Sequence, residues 1–248
     1  MHGVVFGEFM GTLVLILFGD GTVANVLLKD SKGSALTGGS NMTAPWVIIV
    51  LGWAFAVTMG ITTALACGSP FAFINPAVAL AVCILHPANW PIFLPCALAE
   101  IAGGFVGGVL VYLTFLQHWK DTDPTLQLCV FSTFPQIRNF AANTLTEIIA
   151  TTALIVVGLG FGTKGMTGVM TGFGPFLWGL LILTIGCSLG GPTGYAMNPA
   201  RDLGPRLAHL VLPIANKRDS DWGYALVPII GPLVGACIAA GIVMGLGW

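Results

Sequence analysis

The sequence predicts an all-α membrane protein of six transmembrane helices plus two re-entrant half-helices, arranged as an inverted repeat. Three observations predict it. Of 248 residues, 56% are hydrophobic and only 8% are charged, whereas soluble domains carry about 25% charged residues. Apolar runs long enough to cross a hydrocarbon core of roughly 30 Å recur along the chain. The tripeptide Asn-Pro-Ala occurs twice, at 75–77 and 198–200, each time after a Gly/Pro-rich break and before a short helical run.

Each element can be justified in order. The first span is Val4–Leu28, with Glu8 near its start and Asp20 inside it. It lacks a basic leader and is too long for the apolar core of a signal peptide. A Gly/Ser-rich polar loop runs from Lys29 to Asn41. The second span, Pro45–Cys67, holds Trp53 and is broken by Gly68-Ser69-Pro70. A half-helix Asn75–Leu85 then ends before His86-Pro87. The third span, Pro91–Gln117, contains Glu100, and the longest polar connection follows from His118 to Asn139. The fourth span is Phe140–Gly162, with Glu147 near its start, and the fifth is Gly174–Leu189. Gly190-Gly191-Pro192-Thr193-Gly194 breaks the fifth span ahead of a half-helix Asn198–Leu212, which stops at Pro213. A charged loop, Asn216–Asp221, leads to the last span, Tyr224–Gly247.

This order repeats within a single transmembrane domain spanning 1–248. Repeat 1 covers about 1–120 and repeat 2 about 140–248. Each repeat has a span opening on a glutamate, a second span, a break, a half-helix and a third span. Three spans per repeat is an odd number, so the second copy enters the membrane from the opposite side. Interrupted segments in corresponding positions of inverted repeats point to a transport site at the repeat interface. Orientation is weakly marked. With the N-terminus inside, Lys29, Lys32, Lys120, Arg138, Lys217 and Arg218 face outward, so charge bias alone favours the reverse.

The half-helices carry the chemistry. Asn is a preferred N-cap and Pro suits the first helical position, so each Asn-Pro reads as a helix start. Ten residues rise roughly 15 Å, half of the hydrocarbon core. Two half-helices meeting tip to tip place Asn75 and Asn198 together at the midplane. Their capping oxygens are engaged, which leaves amide N–H groups for an oxygen atom on the axis. The positive helix ends oppose cations and protons there. Glu8 and Glu147 stand at equivalent repeat positions. They read as acceptors for irregular backbone before each half-helix, with proton transfer as the alternative. Arg201, just inside the second half-helix, reads as a guanidinium lining a constriction. Its alternative is a surface arginine paired with Asp202. For Trp53 on its own, an interfacial belt residue is the alternative reading.

Other chemistry is disfavoured. The net charge of −1 leaves no electrostatic footprint for nucleic acid. The six cysteines show no CxxC spacing and read as reduced, apolar thiols. The histidines, His2, His86, His118 and His209, are scattered. Neither an enzyme nor a cofactor or metal site is expected.

The stretch Gly194-Tyr195-Ala196-Met197-Asn198-Pro199-Ala200-Arg201-Asp202-Leu203-Gly204-Pro205, with its partner at 75–77 and both glutamates, resembles the major intrinsic protein family, the aquaporins and glycerol facilitators. Asp202 after the arginine resembles the glycerol-conducting branch. The resemblance covers nearly the whole chain. It implies an aquaporin-like bundle and a homotetramer with one pore per subunit in the plasma membrane. It implies passive passage of glycerol, water and other small uncharged solutes, with protons and ions excluded. Other small neutral permeants (lactic acid, urea, hydrogen peroxide) are the alternative, and a proton-coupled transporter stands further off.

By motif offset the resemblance places a selectivity filter on Trp53, Gly186, Tyr195 and Arg201, the pore midplane on Asn75 and Asn198, and support of the re-entrant loops on Glu8, Glu147 and Asp202. Gly186 stands where water-selective members carry histidine, which implies a wider filter. Two departures are visible. Tyr195 replaces the commoner Phe, and Phe73 stands where His is usual in the lead-in Ser69-Pro70-Phe71-Ala72-Phe73-Ile74. An inner half of the pore that is narrower or more apolar is expected from the second.

Overall fold

A computed structural model describes residues 3–37 and 43–248. The helices are α1 (Val4–Leu27), α2 (Lys32–Thr37), α3 (Thr43–Ala66), α4 (Pro76–Leu85), α5 (Trp90–Thr114), α6 (Pro124–Phe131), α7 (Phe140–Gly160), α8 (Thr167–Ser188), α9 (Pro199–Val211) and α10 (Leu226–Leu246). Among the described residues, α1, α3, α5, α7, α8 and α10 are long and apolar enough to cross a membrane. Apart from the start of the fifth span, the predicted spans and half-helices match these within a few residues. The loop expected over 29–41 contains α2, and its residues 38–41 lie outside those described. The fifth span begins earlier than expected, at Thr167. Its backbone breaks at Thr171 and at Gly172, where φ is +79°, so the straight segment still starts near Gly174.

Small residues set the packing. A Cβ built on Gly103 would sit 2.3 Å from the Phe9 carbonyl oxygen of α1, and one on Gly104 would sit 2.9 Å from the Ala200 oxygen of α9. Adjacent glycines thus let α5 touch both neighbours at backbone distance, the usual route to tight helix association in lipid. The second repeat copies the first contact: a Cβ on Gly235 of α10 would lie 2.7 Å from the Ile148 oxygen of α7. Phe9 and Ile148 each follow their repeat's glutamate. The half-helices cross over, α9 packing on α5 and α4 packing on α10. Each repeat therefore holds the other's half-helix, and the two are interlocked.

The connection from 118 to 139 is more than polar linker. Asp123 caps α6, its Oδ1 accepting from the Thr125 and Leu126 amides at 2.8 and 3.4 Å. Pro124 takes the first helical position. Trp119, Gln127 and Phe131 are fully buried, and α6 packs on α1 and α9.

Candidate functional site

Both re-entrant loops are built the same way. Asn75 Oδ1 accepts from the Ala77 amide at 2.9 Å, and Asn198 Oδ1 from the Ala200 and Arg201 amides at 3.0 and 3.2 Å. Each asparagine also reaches across the repeat interface. Asn75 Nδ2 donates to the Met197 carbonyl at 2.9 Å, and Asn198 Nδ2 donates to the Ile74 carbonyl at 2.7 Å. The side chains therefore staple the two loops together. An amide nitrogen carries two hydrogens, so the staple uses one and leaves one, rather than the two that capping alone would leave.

The backbone leading to each cap is strained. Ala72 and Ile74 have φ of +46° and +44°, and Tyr195 and Met197 have +41° and +48°. Such left-handed residues cost of order 1–3 kcal/mol each and persist only where the surroundings impose them. Buried carboxylates supply that constraint. Glu8 accepts from the Phe73 and Ile74 amides at 3.0 and 2.7 Å and from the Ser69 hydroxyl at 2.5 Å. Glu147 accepts from the Ala196 and Met197 amides at 3.0 and 2.8 Å and from the Thr193 hydroxyl at 2.6 Å. The unusual lead-in around Phe73 leaves this pattern intact. Its effect is on the wall: Phe73 stacks on Phe71 at 5.0 Å, and both line the cavity.

That cavity, of about 680 Å³, runs between the repeats. Trp53, Tyr195 and Arg201 line one end, Asn75 and Asn198 its middle, and Phe71, Val82, Leu159 and Met170 the other end. The Arg201 guanidinium carbon lies 3.9 Å from the centre of the Trp53 ring, within cation–π range. Its Nη1 meets Asp20 Oδ1 at 3.3 Å. Trp53 is seated on α1 at Gly19, where a built Cβ would fall 2.3 Å from the ring.

Two of the predicted site residues have close partners of their own. Gly186 packs against Val50 and Tyr195, the latter a lining residue of the cavity. A Cβ there would lie 2.8 Å from Val50 Cγ1 and 3.0 Å from Tyr195 Cζ, so the tyrosine ring takes up the space the glycine leaves. That ring lines the cavity and is packed edge-on against Trp46. Asp202 has no hydrogen bond to a re-entrant loop among those the described residues make. Its Oδ2 accepts from the Thr133 amide and hydroxyl at 2.9 and 2.7 Å, and its Oδ1 from Arg206 Nε at 2.8 Å. Its reach to the second loop is indirect, through the same connecting segment, whose Gln136 amide donates to the Pro192 carbonyl. Arg201 is thus paired with Asp20, neither with Asp202 nor at the surface.

Asp20 is the residue the motifs did not mark. One signal was available. A carboxylate inside an apolar span is costly unless paired, and Asp202–Arg206 at i, i+4 spacing leaves Arg201 as a partner for it.

The family model described as Major intrinsic protein matches residues 2–243. The chain belongs to the major intrinsic protein family. Its similarity to individual members is close. It is 48% identical over 240 residues to the probable glycerol uptake facilitator protein of Thermotoga maritima, covering 96% of this chain and 97% of that one. It is 49% identical over 237 residues to glycerol uptake facilitator protein 3 of Lactiplantibacillus plantarum, covering 95% and 93%. Among solved structures, the X-ray structure of the aquaglyceroporin from Plasmodium falciparum superposes with a TM-score of 0.80 at 26% identity, covering 96% of this chain and 93% of that one. The major intrinsic protein fold accounts for the paired half-helices and the interlocked repeats described above.

Proposed function

We propose that this protein is a passive channel of the plasma membrane for glycerol, water and other small uncharged solutes, and that it excludes protons and ions. The observation that carries the reading is the cavity lined by Trp53, Tyr195 and Arg201 at one end and by both capping asparagines in its middle. A polyol has a carbon face and a hydroxyl face. Trp53 and Tyr195 offer an apolar wall to the first, and Arg201 offers donors to the second. At the asparagines, two helix N-termini direct positive partial charge at the axis, which opposes cations and permits neutral oxygens. The facilitator names of the two bacterial relatives support glycerol as permeant. Glu8 and Glu147 act as loop anchors in this reading, since their oxygens are engaged by backbone amides and hydroxyls. A homotetramer with one pore per subunit fits the apolar residues exposed along the outer helices.

The test is light scattering by proteoliposomes under an osmotic and then a glycerol gradient. Glycerol permeability well above that of empty vesicles is expected, without saturation and without dependence on a pH gradient. Permeability equal to empty vesicles defeats the proposal, and flux driven by a pH gradient replaces it with a coupled transporter.

A further inference from the structure

We propose that Asp20 is a specificity-determining residue of the channel, acting as the built-in counter-ion that positions Arg201 and cancels its charge. The inference rests on the channel reading. Asp20 is fully buried. Its Oδ1 lies 3.3 Å from Arg201 Nη1, and its Oδ2 has no hydrogen-bond partner among the described residues. The other nearby carboxylate, Asp202, is committed to Arg206 and Thr133. Arg201 is held from two sides by one short stretch of α1: Gly19 seats the Trp53 ring on which the guanidinium lies, and Asp20 takes an N–H of that guanidinium. Consecutive residues of the first helix thus form a further wall of the constriction, behind the residues that line it.

The chemistry follows from the pairing. An arginine alone at a narrow, poorly hydrated point would repel cations but draw small anions. With Asp20 behind it, the constriction keeps a directed N–H donor set and carries no net charge. It then offers hydrogen bonds to a neutral hydroxyl without favouring an anion. Pairing also offsets the desolvation of both groups, since either one alone would be an uncompensated charge. The symmetry of the fold sharpens the point. Gly158 seats the Trp178 ring as Gly19 seats Trp53. The residue after Gly158 is Leu159, packed in an apolar cluster with Val78, the residue three after Asn75 as Arg201 is three after Asn198. The ion pair is therefore a substitution at both of two corresponding positions, an acid and a base where the other repeat has two aliphatic residues.

The experiment compares wild type, Asp20→Asn and Asp20→Glu in proteoliposomes. It reads glycerol permeability by light scattering and iodide entry by quenching of a trapped dye. Asp20→Asn is expected to raise the iodide-to-glycerol ratio about tenfold, the factor that about 1.4 kcal/mol gives. Asp20→Glu is expected to restore the wild-type ratio. An unchanged ratio in Asp20→Asn overturns the proposal, as does a raised ratio that Asp20→Glu fails to correct. Should Asp20→Asn not assemble, the melting temperatures of Arg201→Gln and Arg201→Gln/Asp20→Asn in detergent decide. The double variant is expected to melt higher, because it removes a lone buried carboxylate, and the opposite order rejects the pairing. Wild type without glycerol flux defeats the channel reading alone, while the order of melting temperatures still tests the pair.

Discussion

The two ends of the cavity share a scaffold and differ in chemistry. At one end Trp53 rests on Gly19 of α1, and at the other Trp178 rests on Gly158 of α7. Each end has a half-helix capped by asparagine, a loop with two left-handed residues, and a glutamate holding that loop's amides. On this common frame one end carries Asp20 and Arg201, and the other carries Leu159 and Val78. The half-helices follow suit. Between their caps and their ends α4 is wholly apolar, whereas α9 holds Arg201, Asp202, Arg206 and His209. On the proposed channel reading, the difference assigns the passage to the duplicated parts and the choice of solute to the unduplicated ones. A frame repeated twice closes the bundle around a continuous cavity. A charge pair placed once gives that cavity one polar end, the end proposed to discriminate.

The largest expected effect comes from breaking the shared frame. Glu147→Ala leaves three donors without an acceptor, the Ala196 and Met197 amides and the Thr193 hydroxyl. Glu8→Ala does the same to the Phe73 and Ile74 amides and the Ser69 hydroxyl. Each orphaned buried donor costs about 1–3 kcal/mol. Both variants are expected to lose most of their assembled protein, measured as the melting temperature and yield in detergent, and to lose it equally. A Glu8→Ala protein that melts like wild type beside a collapsed Glu147→Ala would show that the first loop is held by other means.

Next in size is the removal of what is not shared. Arg201→Val with Asp20→Leu rewrites the discriminating end in the residue types of its counterpart, and leaves no buried charge unpaired. The protein is expected to assemble and conduct glycerol, but the smaller side chains and the loss of the directed N–H donors open that end to a continuous file of water, so protons enter at least about tenfold faster than in wild type, a change of about 1.4 kcal/mol. A dye sensitive to pH inside proteoliposomes measures it. Unchanged proton exclusion would move the whole barrier to the midplane asparagines.

Those asparagines supply the sharper, smaller comparison. Asn75→Ala and Asn198→Ala each remove a cap, worth about 1 kcal/mol, and one cross-repeat hydrogen bond, worth about 1 kcal/mol. Equal losses of roughly 2 kcal/mol are expected by thermal melting. A larger loss at Asn198 would show that its second capping contact, to the Arg201 amide, matters more than the staple.

The frame was readable in the sequence because it is written in residues with strong local rules. Apolar runs fix the spans, Asn-Pro starts helices, and Gly/Pro breaks precede them; both glutamates repeat. What escaped reading depends on packing between distant segments. Asp20 and Arg201 are 181 residues apart, and neither has a repeat mate of its own type to flag it. Whether the space at Gly186 stays open is decided by Tyr195, which folds into it. The cross-repeat use of the asparagine amides needs both loops in place. Helix α6, by contrast, has a local signal in Asp123-Pro124, a cap followed by a first-turn proline, set within a stretch whose polarity masks it.

The smallest expected effect falls at Tyr195, where two roles can be separated. The ring closes the space beside Gly186 and lines the cavity. The hydroxyl, by contrast, has no hydrogen-bond partner among the described residues. Tyr195→Phe keeps the ring and removes the hydroxyl, so stability is expected to stay within about 0.5 kcal/mol of wild type. If the ring alone shapes the discriminating end, the ratio of glycerol to water permeability also holds, because the apolar wall facing the carbon backbone is unchanged. A fall in that ratio of more than about twofold, near 0.4 kcal/mol, would mean that the hydroxyl meets the solute during passage. The end with the ion pair would then own a further polar contact.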